Sequence, residues 1–205
     1  NVTDPQSRIM KTRTGYVQGY NAQAVVTEEQ IVVAAEVTPE ENDVKQLHPM
    51  AQEAERNLKQ VGSQEQIQVV LADAGYWSAQ NLQGAWVGCP ELLIATTKDW
   101  KQRKAMRERP PLRGRIPMDL FLKDRMERKL LTKRGRALYK RRSQMSEPVF
   151  GQVKDIRGCD RFMQRGYASV RAEWKLIYAG HNLLKLWRSG RWGRRCTRRG
   201  QVTYN

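Results

Sequence analysis

The sequence lacks any run of about 18 apolar residues, the length a helix needs to cross a membrane. Its polar first residues do not read as a signal peptide. Only three cysteines occur, Cys89, Cys159 and Cys196, scattered and odd in number. They make neither a CxxC pair nor a disulfide framework, which argues against a cysteine metal site and fits a reducing cytoplasm. The two histidines, His48 and His181, stand apart without ligand spacing and read as locally hydrogen-bonded groups. Gly15 and Gly19 belong to no phosphate loop, since no GxxxxGK(S/T) follows them.

Acidic residues are scarce in one half only. Residues 1–100 carry 7 Lys/Arg and 13 Asp/Glu, net −6, whereas residues 101–205 carry 30 and 8, net +22. That asymmetry, within a formal charge of +16, points the second half at a polyanion, and nucleic acid is the ordinary one.

What is present reads as one α/β core. Residues 1–14 look like loop, with Asp4-Pro5 as punctuation, and the absence of an initiator Met suggests a fragment. Residues 15–26 read as a strand, Glu28-Glu29 as a turn and residues 31–37 as a second, antiparallel strand. A helix over 44–60, capped by Asn42 or Asp43, carries Leu47, Met50, Ala51, Ala54 and Leu58 on one face. Residues 67–71 form a short buried strand ending at Asp73, and such a strand reached through a helix is usually parallel to its neighbour. Ser78 caps another helix, and residues 92–97 give a further strand. Residues 98–118, basic and broken by three prolines, read as a loop or excursion. A helix follows over 119–132, residues 133–144 read as a basic continuation into the Glu147 element, and the clearest helix spans 167–187, with Val170, Trp174, Ile177, His181 and Leu184 on one face. Residues 188–205 hold six arginines and almost no apolar content and read as a basic, disordered tail. Trp174 belongs to the core by its spacing, while Trp77 and Trp100, in turn contexts, are the better candidates for stacking on bases.

Two carboxylates carry the chemistry. Asp73 stands at the carboxyl end of a buried strand, where open α/β sheets place their ligands. Glu147 lies in YKRRSQMSEPVFGQVK, behind a basic run, with Pro148 read as the first residue of a helix. Lys154, seven residues on, shares the Glu147 face at about two turns. Each carboxylate also has an ordinary reading: Asp73 as a turn cap, Glu147 as a charge favoured at a helix N-terminus. Carboxylates among cations suit phosphodiester chemistry with a hard divalent ion, and a third carboxylate is expected beside two.

The segments NVTDPQSRIMKTRTGYVQGYNAQAVV, AAEVTPEENDVKQL, LADAGYW, EPVFGQVK and RGYASVRAEWKLIYAGHNLLKL, in this order over roughly residues 1–187, resemble the DDE (Asp-Asp-Glu) transposases of bacterial insertion sequences. The resemblance implies a ribonuclease-H-like mixed sheet with flanking helices and a basic helical C-terminal part. It makes Asp73 and Glu147 catalytic residues and ligands of Mg²⁺, with Mn²⁺ as a substitute. The family signature Tyr-x2-Arg-x3-Glu-x6-Lys falls on Tyr139, Arg142, Glu147 and Lys154, with one extra residue between Arg142 and Glu147. By resemblance Tyr139, Arg142 and Lys154 are the DNA-binding positions. The first aspartate of the triad is expected on a core strand upstream of Gly19-Tyr20-Asn21, where Asp4 is the only candidate. Residues 1–187 are therefore expected to be a partial catalytic domain lacking that strand.

The implied function is DNA cleavage and strand transfer during transposition. DNA is the partner, a homo-oligomer the active assembly, and the bacterial cytoplasm, at the nucleoid, the setting. The alternative is a remnant that binds nucleic acid without cutting it; a ribosome-associated or RNA-binding protein fits the charge but not the acidic first half. DNA binding through the basic half is expected to weaken steeply between low and high salt. A nearly flat affinity in a salt titration would refute the electrostatic reading.

Overall fold

A computed structural model describes residues 2–12, 15–84 and 88–190. The expected disordered tail, Cys196 included, falls at its far end, and residues 191–205 lie outside the described residues.

Strand β1 (Arg8–Thr12) pairs antiparallel with β2 (Gly15–Gly19), and β3 (Asn21–Val26) pairs antiparallel with β4 (Val32–Thr38). Residues 15–26 are thus two strands with different partners, not one. The break is at Tyr20, whose hydroxyl donates to Asp4 Oδ1 at 2.6 Å and whose ring tilts against Tyr167 at 6.1 Å. β1 lies where a loop is expected; its exposed Arg8, Lys11 and Thr12 hide the strand alternation.

A 3₁₀ turn (Asp43–Gln46) leads into α1 (Leu47–Gln60), which buries Leu47, Met50, Ala51 and Ala54 as its spacing predicts. Neither expected cap forms a capping bond on this helix. Asp43 turns back to the hairpin instead, accepting from Asn21 Nδ2 at 2.7 Å and Gln23 Nε2 at 2.8 Å. Strands β5 (Val69–Ala72) and β6 (Glu91–Ile94) pair in parallel, joined through the short α2 (Ala79–Gln83). Ser78 caps α2 as expected, accepting from the Asn81 amide at 2.9 Å. Among the described residues the strands form three two-stranded ladders rather than one continuous mixed sheet. Side chains link the hairpin to the elements around it: Tyr76 donates to Gln23 Oε1, and Asn57 Nδ2 to the Val33 carbonyl at 2.8 Å.

The basic excursion contains a helix, α3 (Trp100–Glu108). Its residues are good helix formers, and Asp99 caps it by accepting from the Lys101 amide at 2.8 Å. α4 (Leu122–Leu131) ends at Thr132, whose hydroxyl accepts from the Gly135 amide at 2.9 Å and so starts α5 (Lys133–Gly151). Pro148 does not open a helix; it lies inside α5. A proline there leaves the carbonyl four residues back without its helical donor. That carbonyl, Gln144, accepts from Gln30 Nε2 at 2.9 Å, from the turn between β3 and β4. α5 runs into a π-helical turn (Gln152–Ile156), and Gly158 then reverses the chain at positive φ.

α6 (Tyr167–Arg188) closes the main core, in which Val149, Val153, Val170, Trp174 and Tyr178 pack on Val32 and Val37. Trp174 is core as expected, and its indole donates to the Gln23 carbonyl at 2.9 Å. Tyr178, rather than Ile177, fills the centre of the buried face, since Ile177 sits at its margin. Asn182 satisfies both backbone groups of Val32, accepting from its amide at 2.9 Å and donating to its carbonyl at 2.7 Å. Trp77 also packs inward, against the second cluster of Leu47, Ala72, Leu92 and Ile94, whereas Trp100 is exposed.

Two substitutions test this packing by thermal or urea unfolding. Trp174→Ala is expected to cost about 3–5 kcal/mol through the emptied core volume. Gly135→Ala is expected to cost about 1–3 kcal/mol, the scale of overpacking. An added Cβ would lie 2.0 Å from the Lys129 carbonyl oxygen, a backbone atom that cannot swing aside.

Candidate active site

Asp73 emerges directly from the end of β5. Its Oδ1 accepts from the Gly75 amide at 2.8 Å, and its carbonyl accepts from the Tyr76 amide at 3.2 Å, so the turn holds the carboxylate in place. The turn-cap reading of Asp73 is therefore correct as local structure. It accounts for one carboxylate oxygen.

α5 crosses this strand end. Tyr139 fixes the crossing: its hydroxyl donates to the carbonyl of Ala72, the residue before Asp73, at 3.1 Å. Burial raises the Tyr139 pKa, while the positive charges of Arg142, Arg103 and Arg107 pull it down. Val149 and Val153, both fully buried, anchor the end of α5 and the turn that follows it in the core.

A cleft of about 440 Å³ lies between strand end and helix, lined by Asp73, Arg142, Ser146, Glu147, Phe150, Gly151, Lys154 and Asp155. Asp73, Glu147, Arg142 and Lys154, four of the five residues singled out in the sequence, share this one cleft; Tyr139 stands behind it. Glu147 is largely exposed, and its Oε1 lies 3.7 Å from Arg142 Nη2. The extra residue in the signature puts these two five positions apart on one helix, too far round for a close pair. Lys154 Nζ lies over the Phe150 ring, 5.5 Å from its centre.

Two carboxylates escaped the sequence reading. Asp155 lines the cleft from the π-helical turn, where the change of helical pitch alters the face it presents. Only its acidity in a basic stretch could have marked it. Asp43 faces Asp73 across Gly75: a Cβ on that glycine would meet Asp43 Oδ2 at 2.8 Å and Asp73 Oδ1 at 2.9 Å. The expected helix cap at Asn42 or Asp43 drew attention away from it. As the side chains stand, no group of three acidic, histidine or cysteine residues converges on a metal position among the described residues.

Asp4, the candidate first carboxylate, is buried outside the cleft. Its Oδ1 accepts from Tyr20 and its Oδ2 from the Gly166 amide at 3.0 Å. These bonds join the first turn of the chain to the entrance of α6.

Residues 116–187 match a family model described as a transposase DDE domain, which supports the recognition of a DDE-type transposase. The match takes in α4, α5 and most of α6, with Tyr139, Arg142, Glu147, Lys154 and Asp155, and leaves Asp73 outside. No curated protein and no solved structure matches the chain. No helix among the described residues is long and apolar enough to cross a membrane.

The Asp4 contacts generate a pH dependence. The Tyr20 hydroxyl, then the Gly166 amide, hold the Asp4 carboxyl below its ordinary value of 3.8. Its stabilising contribution is fully present above the unfolded pKa and is lost as pH falls through the lower folded value. Thermal midpoints measured between roughly pH 5 and pH 2 should fall less steeply in Asp4→Asn than in wild type. Equal slopes would show that the carboxylate has no such role.

Proposed function

We propose that this chain is the catalytic region of a DDE transposase, with Asp73 and Glu147 as ligands of Mg²⁺ and Mn²⁺ as a substitute. In this reading residues 1–187 are a partial ribonuclease-H-like catalytic domain of an enzyme that cleaves DNA and transfers the cut strand in insertion-sequence transposition, within a homo-oligomer. The observation that carries the reading is the meeting of Asp73, from a strand end, with Glu147, Arg142 and Lys154 in one cleft. Chain segments far apart in sequence supply three carboxylates, Asp73, Glu147 and Asp155, and two cations to the same space.

The donor set suits a hard divalent ion in kind, since every candidate is a carboxylate oxygen. When bound, such an ion supplies Lewis acidity toward a phosphodiester oxygen. Arg142 and Lys154 hold phosphate oxygens at the cleft wall, Arg142 with a planar fork and Lys154 with a point charge. Tyr139 keeps helix and strand in register, so that Asp73 and Glu147 stay opposed. Val149 and Val153 serve the same end from inside the core.

A second reading has an observation in its favour. The carboxylates do not form a three-membered metal site among the described residues, which suits a protein that binds nucleic acid without cutting it.

Glu147→Gln separates the two. Under the catalytic reading, Mn²⁺ affinity followed by electron paramagnetic resonance should drop by at least about 10–100-fold. Any Mn²⁺-dependent nicking of plasmid DNA should vanish while DNA binding persists. A wild-type chain that binds DNA but neither retains Mn²⁺ nor nicks would leave the binding-only reading standing.

A further inference from the structure

α3 is a helix without a core. None of its residues is buried, and it carries Lys101, Arg103, Lys104 and Arg107 against one acid, Glu108. Lys104 and Glu108 form a loose exposed pair at 3.9 Å. Lys101, Arg103 and Arg107 make no ion pair among the described residues. Isolated helices of this length are marginal in water, so something other than packing must hold α3 in place.

Polar latches hold both ends. At the start, Asp99 caps the helix, and Thr97 accepts from the Asp99 amide at 3.1 Å and donates to Gln102 Oε1 at 3.2 Å. At the end, the Arg136 guanidinium donates to the carbonyls of Arg107 at 3.0 Å, Met106 at 3.2 Å and Pro110 at 3.3 Å. The Arg107 and Met106 carbonyls are among the groups a helix C-terminus leaves unpaired. Arg136 stands one turn before Tyr139 on α5, so the latch fixes α3 beside the residue that braces the cleft. Arg103 and Arg107, also one turn apart, send their charge to the Tyr139 phenol. A row of unpaired cations is thus held beside the first turns of α5 by contacts that bury no apolar surface.

We infer that α3 is a second phosphate-contacting element, on which Arg103 and Arg107 grip the backbone of duplex DNA beside the cleft. The inference rests on the DNA-cleaving reading for its partner and extends it to a helix that lies outside the matched family region. Arg136 is a positioning residue in this scheme: it aims the row and touches no DNA. The contacts go to phosphate, so they add affinity and register without sequence preference.

The test is a salt titration of binding to a short labelled duplex, read by fluorescence anisotropy. Each phosphate contact contributes about 0.9 to the slope of log affinity against log salt. Arg103→Gln/Arg107→Gln should therefore lower the slope by about 1.8, with an unchanged melting temperature because neither side chain is buried. Arg103→Lys/Arg107→Lys should keep the wild-type slope. Arg56→Gln/Lys59→Gln, which removes the same formal charge from α1, should keep it too. An unchanged slope in the α3 glutamine variant, with wild type binding normally, overturns the inference and leaves the DNA reading intact. An equal loss in the α3 and α1 glutamine variants also overturns it, because net charge alone would then explain binding. A wild-type chain that does not bind duplex DNA overturns the DNA reading and this inference together.

Discussion

One hydrogen bond sets the geometry of the candidate site, the Tyr139 hydroxyl on the Ala72 carbonyl. A strand end presents carbonyls and a helix presents side chains, and neither alone dictates how the two should cross. Tyr139 ties the last carbonyl of β5 to the middle of α5, and the buried Val149 and Val153 fix the rotation of the helix about that point. Asp73 and Glu147 then line one cleft, with Glu147 largely open to solvent. The bond also explains why an aromatic residue serves at position 139: only a long rigid side chain reaches from the helix to the strand while its ring fills the gap.

The legible parts of the chain were those governed by local pattern. The β3–β4 hairpin, the buried stripe of α1 and the Ser78 cap follow from apolar spacing and turn chemistry, whereas the strand before Asp73, expected parallel to a neighbour reached through α1, finds its parallel partner in β6. Glu147 and Lys154 share one cleft as their spacing suggests, although Lys154 stands in the π-helical turn rather than on a continuous α-helix. The illegible parts were governed by partners distant in sequence. The helical state of residues 100–108 depends on Arg136, and the break in the 15–26 strand depends on Asp4. Pro148 reads as a helix start until Gln30 is known to supply the missing donor. Asp43 reads as a cap until Asn21 and Gln23 are seen to claim it. In each case a polar side chain reached across the fold, and no period of the sequence encodes such a reach.

The uneven charge takes on a structural meaning as well. Three acidic residues of the first half reach cations of the second: Glu36 pairs with Arg171 and Lys175, Glu91 with Lys129 and Arg134, and Glu28 with Arg141. In every one of these the cation comes from the second half, so part of the charge asymmetry is what docks one half on the other.

The pairing of Gln30 with the Gln144 carbonyl carries a consequence for how this sequence can drift. The carbonyl is open only because Pro148 has no N–H to offer it. Were position 148 to become any residue with a backbone amide, the helix would close its own ladder and Gln30 would lose its task. Were Gln30 lost first, the proline would leave a carbonyl to the solvent. The two positions, a turn residue and a helix residue far apart in the chain, thus form an epistatic pair in which the order of substitution decides the cost.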